Sequence, residues 1–164
     1  MNSQIIDEID QQIINLLQKN ARLSNAVLAE KVGLTTSTVH ERVKKLEKKG
    51  IIKGYIAMVD AESLGKPITA FIRLTVGSSS TNYLESKKSV QNICRDETDV
   101  LECHAIAGDD CYILKVRISS PGDLEKLIER IRSNADVSKA TTNIVLSTFK
   151  ETTQVTPAAV SGKM

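Results

Sequence analysis

The side chains with the most distinctive chemistry lie between Thr35 and Lys53, where short polar residues are followed by lysines. This stretch holds six basic and two acidic residues, a net charge of +4, whereas the whole chain of 164 residues carries only +2. Such a local concentration of positive charge is typical of a surface that binds nucleic-acid phosphates. Because many solvated helix faces are also rich in lysine, the charge by itself does not decide between these two interpretations.

An apolar stripe at helical spacing, formed by Val39, Val43 and Leu46, predicts how these polar side chains are arranged. If the stripe is buried, the opposite face carries the short polar residues at its N-terminal end and the lysines behind them. A recognition helix meets base edges with its N-terminal residues, and basic side chains position it on phosphates. The candidate DNA-binding residues are therefore Thr36, Ser37, Thr38, His40, Glu41, Arg42, Lys44, Lys45 and Lys48.

Two roles are predicted within this set. The candidates for reading base edges are Ser37, Thr38, His40 and Glu41, since a glutamate accepts a hydrogen bond from N4 of cytosine. Lys44, Lys45 and Lys48, with Arg42, are the candidates for phosphate contacts. His40 beside Glu41 could also suggest acid–base catalysis, but adjacent helical residues point about 100° apart and contact each other poorly.

Two further helices are expected to precede this one. Apolar residues at helical spacing predict a first helix over residues 7–19, with acidic residues at its N-terminus. Ser24 is expected to cap a second helix that stops at Gly33, and Thr35 or Thr36 to cap the third, which stops at Gly50. Residues 51–57 have strand character and are expected to form a short wing.

The second and third helices resemble the helix-turn-helix motif over a window of 20 residues, 25–44. Ala29 stands where the motif has a small residue that lets the helices approach, and Gly33 stands at the turn. Arg42 departs from the motif, which often has an aliphatic residue there. We expect Val43 and Leu46 to supply that packing instead.

The rest of the chain predicts an α+β domain. After a linker over residues 58–67, the pattern is a strand (69–76), a helix around residues 83–94, two strands (100–107 and 111–118), a helix that begins at Pro121, and a strand over about 140–148. This βαββαβ order is ferredoxin-like, and right-handed crossovers place both helices on one face of the sheet. The other face is expected to be half apolar, with Phe71 on it, and to bind a second copy.

The predicted domains are therefore a winged helix-turn-helix over residues 1–57, the linker, a ferredoxin-like domain over 68–150, and a mobile tail over 151–164. Cys94, Cys103 and Cys111 have no metal-like spacing, so no metal cofactor is expected. Cys103 and His104 face opposite sides of a strand and cannot act as a nucleophile–base pair, so an enzyme is not expected. An acidic N-terminus and the lack of an apolar run of ~18 residues predict a cytoplasmic protein without a membrane partner.

Over about residues 5–150 the chain resembles the Lrp/AsnC family of feast/famine regulators. The matching stretches are IDEIDQQIINLLQKNARLSNAVLAEKVGLTTSTVHERVKKLEKKGIIKGY, then AIAGDDCYILKVR, then the closing strand. The resemblance implies a regulator of transcription that binds double-stranded DNA sequence-specifically, with a C-terminal domain of the RAM type. It also implies a homo-oligomer: a dimer through the C-terminal domains, often assembled into a tetramer of dimers.

The resemblance further implies that an amino acid or a related small molecule binds near the turn between the second and third strands. The effector-binding candidates there are Gly108, Asp109, Asp110, Cys111 and Tyr112. The family's turn is typically Gly-x-x-Asp-Tyr, whose aspartate suits an effector's ammonium group, but this chain has Cys111 at that position. Asp110 comes one residue early and would point to the other face. Three possibilities stay open: a different ligand, no ligand, or an ordinary hairpin turn.

Two hypotheses of function follow. The first is a sequence-specific transcription regulator, and the second is an architectural protein that compacts DNA with little sequence preference. A mobile tail and an octameric assembly would be compatible with the second hypothesis. Binding to a specific site compared with random DNA would distinguish them.

Overall fold

Three helices form the first part of the chain: α1 (Glu8–Lys19), α2 (Asn25–Val32) and α3 (Thr36–Lys48). The structure, a computed structural model, describes residues 6–77, 83–109 and 111–157, with only the backbone of Tyr83. It divides into two units, Met1–Met58 with Lys150–Met164, and Val59–Phe149. Each unit has its own apolar core.

Local capping explains where the three helices begin and end. Asp7, Ser24 and Thr35 precede α1, α2 and α3, and each side chain accepts a hydrogen bond from a backbone amide three residues later. Gly33 ends α2 in the left-handed conformation, with φ of 70°, which glycine adopts without steric cost. The core of this unit holds the predicted apolar stripes, Ile13, Leu17, Leu28, Ala29, Val32, Val39, Val43 and Leu46.

The segment predicted as a wing, residues 51–57, has neither helix nor strand. The Ile51 and Ile52 amides both donate to the Leu46 carbonyl, at 3.0 and 3.2 Å, and their side chains pack against the helical core. A strand requires a neighbouring strand to accept its hydrogen bonds, and no described segment of this unit supplies one.

The predicted tail contacts α1 in its described part. The Val155 amide donates to Oε1 of Gln18 at 2.7 Å, and Nε2 of Gln18 donates to the Val155 carbonyl at 2.9 Å. Nε2 of Gln154 also donates to the Gln18 carbonyl at 3.1 Å. These hydrogen bonds connect residues more than 130 positions apart, so no local pattern in the sequence predicted them.

The second unit contains a four-stranded antiparallel sheet covered by two helices. Its elements are β1 (Ile68–Val76), α4 (Tyr83–Asp96), β2 (Val100–Ala105), β3 (Tyr112–Ile118), α5 (Pro121–Asn134) and β4 (Val137–Ile144). The strands lie in the order β2-β3-β1-β4. This is the predicted α+β, ferredoxin-like βαββαβ fold.

Alternating residues of the two central strands build the core of this unit. Ala70, Ile72, Leu74 and Val76 of β1 alternate with the outer-face residue Phe71, and all four are buried. They pack with Val90 of α4 and with the α5 residues Leu124, Leu127 and Ile131. Both helices therefore cover the same face of the sheet. None of the described helices is both long and apolar enough to cross a membrane.

Two predicted strands differ from the structure by two or more residues at an end, and the other two differ by one residue. The last strand is Val137–Ile144, not 140–148, because β1 sets its register: Val76 pairs with Val137 and Ala70 with Ile144. The prediction extended the strand to residue 148 because apolar residues follow Ile144. β2 ends at Ala105 rather than at residue 107, so the connection to β3 begins two residues earlier than predicted.

The outer face of the sheet is more polar than expected. Phe71 and Ile113 are its apolar members on the central strands, and they alternate with Arg73, Lys115 and Arg117. On β2, Nε2 of His104 contacts Oε2 of Glu102 at 3.1 Å, and Oε1 of Glu102 lies 3.7 Å from the Lys115 ammonium. Phe71 therefore lies within a largely charged surface, with Lys115 and Asn143 as its partners on the neighbouring strands.

Candidate nucleic-acid interface and ligand cleft

The exposed face of α3 forms a shallow concave surface with the end of α1. The residues that line it are Asp7, Ser37, Thr38, Glu41, Arg42, Lys44, Lys45 and Lys48. Seven of them were predicted from the sequence, and the structure brings them together because Val39, Val43 and Leu46 hold the opposite face of α3 in the core. Thr36 and His40 are exposed on α3 outside this surface.

The N-terminal end of α3 is held by its cap. Oγ1 of Thr35 accepts from the Thr38 amide at 3.3 Å and lies 2.8 Å from the Thr38 hydroxyl and 3.1 Å from the Ser37 hydroxyl. A hydroxyl both donates and accepts, so each of these side chains keeps capacity for a further hydrogen bond. The arrangement fixes Ser37 and Thr38 at the end of the helix that would meet base edges.

His40 makes a contact that the sequence did not suggest. Its Nδ1 lies 3.2 Å from Nδ2 of Asn25, the first residue of α2. The hydrogen bond joins α2 to α3 across the turn and fixes the orientation of the imidazole ring. Asn25 is the first residue of the helix-turn-helix window. That position is the feature of the sequence that could have indicated a role for Asn25 in the site.

The Arg42 side chain forms ion pairs with Asp7 and Asp10. Its Nη1 contacts Oδ2 of Asp7 at 2.6 Å and Oδ1 of Asp10 at 2.8 Å. These hydrogen bonds raise the pKa of Arg42. Burial acts to raise the pKa of Asp7, but the Asp10 amide and Arg42 outweigh it and hold that pKa below its usual value. Two carboxylates thus offset the charge predicted for a phosphate contact, and Arg42 ties α1 to α3.

Lys44, Lys45 and Lys48 carry the positive charge of the surface. All three are exposed, and they follow one another over the second half of α3. Within the part of the chain that the structure describes, no carboxylate pairs with any of them. Their ammonium groups are therefore available to anions in solution.

A second concave site lies in the other unit, beside the loop between β2 and β3. It is a cleft of about 230 Å³ lined by Lys87, Ala105, Ile106, Ala107, Gly108, Cys111 and Tyr112. Three of the five predicted effector residues line it: Gly108, Cys111 and Tyr112. Asp109 is exposed and is not among the lining residues, and Asp110 lies outside the described residues.

Backbone geometry defines the loop wall of this cleft. The Ile106 amide donates to the Cys111 carbonyl at 3.0 Å, and the Cys111 amide donates to the Leu74 carbonyl at 2.8 Å. Gly108 has φ of 141°, in a region that residues with a Cβ atom rarely adopt. Lys87 of α4 also lines the cleft and was not among the predicted effector residues.

Both halves of the chain match known families. Residues 6–53 match a family described as winged helix-turn-helix DNA-binding, and residues 69–155 match the Lrp/AsnC ligand binding domain. The chain belongs to the Lrp/AsnC family. It is a DNA-binding transcription regulator of the Lrp/AsnC type, so these comparisons favour the regulator hypothesis over the architectural one.

Curated Lrp/AsnC relatives match along nearly the whole chain. The transcriptional regulator LrpA of Mycobacterium tuberculosis is 32% identical over 94% of this chain and 99% of its own length. The regulator FL11 of Pyrococcus abyssi is 34% identical over 92% of this chain and 95% of its own. These relatives are transcription regulators.

Solved Lrp/AsnC structures share the fold, and two of them were determined with an amino acid. A transcriptional regulator from Neisseria meningitidis in complex with L-Met has a TM-score of 0.85 and 29% identity, and the match covers 92% of this chain and 96% of that one. The feast or famine regulatory protein of M. tuberculosis, complexed with L-methionine, has a TM-score of 0.82 and 32% identity, over 93% of this chain and 100% of that one.

Proposed function

We propose that α3 enters the major groove of DNA and gives this regulator its sequence preference. Ser37, Thr38 and Glu41 contact base edges, while Lys44, Lys45 and Lys48 contact phosphates. The observation that carries the proposal is the single concave surface on which these six side chains lie. Short polar groups at the N-terminal end and lysines behind them match the way recognition helices dock.

The remaining predicted residues of α3 take supporting positions in this proposal. Thr36 is the first residue of α3, where a hydroxyl is close to the phosphate backbone of a docked duplex. His40, held by Asn25, presents its other ring nitrogen to DNA. Arg42 acts through Asp7 and Asp10 by holding α1 against the recognition helix, which keeps the lysine surface in place.

Sequence-specific regulation is tested by footprinting the full-length protein on the DNA upstream of its own gene and on random DNA of equal length. A specific regulator protects a defined site and prefers it over random DNA by about 10³-fold or more. Equal affinity for both DNAs, with protection spread along their length, would instead support the architectural hypothesis.

Glu41→Ala is expected to relax the preference at one base pair of the bound site. A side chain that reads a base edge contributes about 1–3 kcal/mol of discrimination. Selection from a randomised DNA library measures the preference at every position. Glu125→Ala, which removes the same charge from an exposed position of α5, is the matched control. A Glu41→Ala preference identical to that of the wild type would show that Glu41 is only a solvated residue.

We also propose that the cleft beside Gly108 binds an effector that resembles an amino acid. Two solved relatives were determined with L-methionine, and the cleft combines small and apolar side chains with one cationic side chain, Lys87. Lys87 suits the carboxylate of such a ligand. Cys111 provides no charge for its ammonium group, and Asp109 and Asp110 are the nearby residues of the loop with the required charge.

Self-association through the outer face of the sheet completes the proposal. Phe71 and Ile113 are apolar side chains among charged residues, an arrangement that resembles the centre and rim of a protein–protein interface. We expect a dimer formed through this face, and a tetramer of dimers as the larger assembly. Because a transcription regulator acts where its DNA lies, we expect this protein in the cytoplasm. We also expect it to have no enzymatic activity.

Phe71→Glu is expected to dissociate the dimer in sedimentation experiments on the full-length protein. Burying an unpaired carboxylate at the interface costs about 3 kcal/mol, which raises the dissociation constant about 100-fold. Leu84→Glu is the matched control, because Leu84 is 72% exposed on α4, which covers the opposite face of the sheet, and Phe71 is 36% exposed. Equal effects of the two variants, or a monomeric wild type, would contradict this interface.

A further inference from the structure

Two of the three cysteines meet between α4 and β2. Cys94 of α4 and Cys103 of β2 both pack against the core of this unit, and both are partly exposed at its edge. We propose that Cys94 and Cys103 form a disulfide when the protein meets a peroxide, and that this bond alters binding in the neighbouring cleft. The third cysteine, Cys111, lies across the loop at the start of β3 and takes no part in the bond.

The fold brings these two thiols together for structural reasons. Cys94 follows Val90 and Ile93 on the face of α4 that packs against the sheet. Cys103 lies between Glu102 and His104, which contact each other on the outer face, so strand alternation turns Cys103 toward α4. The bidentate ion pair of Glu97 with Arg130, at 2.6 and 2.8 Å, holds the end of α4 against α5 just before β2 begins.

The two thiols differ in their electrostatic surroundings. The hydrogen bond from Cys94 lowers the pKa of Cys103 to about 7, and the neighbouring His104 acts in the same direction against the effect of burial. The contact with Cys103, burial and the nearby Glu97 all raise the pKa of Cys94. Because the thiolate is the nucleophile, Cys103 is the cysteine of this pair that attacks, and Cys94 is the one that resolves.

The reaction balances with hydrogen peroxide as the oxidant. The Cys103 thiolate attacks one oxygen, the O–O bond breaks, and Cys103 becomes a sulfenic acid while hydroxide leaves. The Cys94 sulfur then displaces the hydroxyl group from the Cys103 sulfur, and the Cys94 proton leaves with that hydroxyl as water. The hydroxide takes up the proton that Cys103 had released. Two thiols are oxidised to one disulfide, and one peroxide is reduced to two waters.

The bond would join the two elements that support the cleft. α4 contributes Lys87 to the lining, and β2 contributes Ala105 at the point where the loop begins. A covalent link between these elements restricts how far one wall moves relative to the other when a ligand enters. This second part rests on the proposed effector function, whereas formation of the disulfide does not.

Peptide mapping tests the bond directly. The full-length wild type and Cys111→Ser are treated with hydrogen peroxide, alkylated and digested with trypsin. Cleavage after Lys88, Arg95 and Lys115 gives SVQNICR with Cys94 and DETDVLECHAIAGDDCYILK with Cys103 and Cys111. We expect these two peptides to be linked in both proteins and separate after reduction. Absence of the link, or a bond that involves Cys111, would overturn the proposal.

A second variant keeps the assignment of roles testable. Cys94→Ser removes the resolving thiol, so the Cys103 sulfenic acid should persist and be labelled by dimedone in the presence of peroxide. Cys103→Ser is its control and should give no labelled Cys94. Labelling of Cys94 rather than Cys103 would overturn the order of attack.

Calorimetry with L-methionine then compares the reduced Cys111→Ser protein with its oxidised form. We expect the two forms to differ in affinity and expect reduction of the disulfide to restore the first value. Equal affinities would overturn the coupling to the cleft while leaving the disulfide itself established. If neither form binds L-methionine but the linked peptide is present, the proposed effector site is wrong. The disulfide would still be established, because peptide mapping does not depend on the ligand.

Discussion

Replacing Lys44, Lys45 and Lys48 together by alanine should weaken binding to every DNA sequence and reduce its salt dependence. Each lysine that neutralises a phosphate contributes about 0.9 to the slope of log affinity against log salt concentration, so the triple variant should lose about three units. Between 50 mM and 200 mM salt the wild type would then lose about 40-fold more affinity than the variant. Titrations at several salt concentrations measure both slopes.

A charge-matched variant separates a phosphate contact from a change in net charge. Lys88, Lys126 and Arg132 are exposed on α4 and α5, and replacing them by alanine removes the same three charges from the second unit. We expect this control to keep the slope of the wild type. An unchanged affinity and slope in the Lys44, Lys45 and Lys48 variant would remove the lysine surface of α3 from the DNA interface.

Cys111→Asp should create or tighten the binding of amino acids in the cleft beside Gly108. The substitution restores the carboxylate of the family's turn motif, and an ammonium group that enters the cleft would then gain a charged partner. A hydrogen bond to a charged group contributes about 1.5–3 kcal/mol, which corresponds to a gain of about tenfold to 100-fold in affinity. Calorimetry with L-methionine and a panel of other amino acids measures the change.

Cys111→Asn is the matched control, since it has nearly the same shape as Cys111→Asp without the charge. We expect weak binding by both the wild type and Cys111→Asn. If the wild type instead binds an amino acid tightly and loses it on Asp109→Ala or Asp110→Ala, the loop itself supplies the carboxylate. That result would contradict the expectation that Cys111 weakens amino-acid binding.

The sequence alone predicted the three helices of the first unit closely, but not the structure of residues 51–57. Ser24, Thr35 and Gly33 act as predicted at the helix ends, because capping depends on hydrogen bonds within a few residues of chain. The buried stripe of α3 was also predictable, since burial follows the helical period. The exposed side of α3, and with it the position of Glu41 and the three lysines, followed from the same pattern.

The order of strands and helices in the second unit could also be predicted, because burial follows the period of each element. The bounds of the last strand could not. Phe71 lies on the predicted outer face, and Ala70, Ile72 and Leu74, which alternate with it, are buried. The bounds of β4 depend on its register with β1, in which Ala70 pairs with Ile144. The apolar residues that follow Ile144 do not show where the pairing with β1 ends. The predicted strand therefore continued beyond the true end of β4.

Contacts between distant residues were decided by the tertiary structure. Arg42 meets Asp7 and Asp10 because α1 packs beside α3, and Lys87 reaches the cleft because α4 lies beside the loop after β2. Cys94 and Cys103 meet for the same kind of reason. Local period and capping chemistry determine which face of an element is buried. Which side chains meet across two elements depends on how those elements pack, and no single segment of the sequence carries that information.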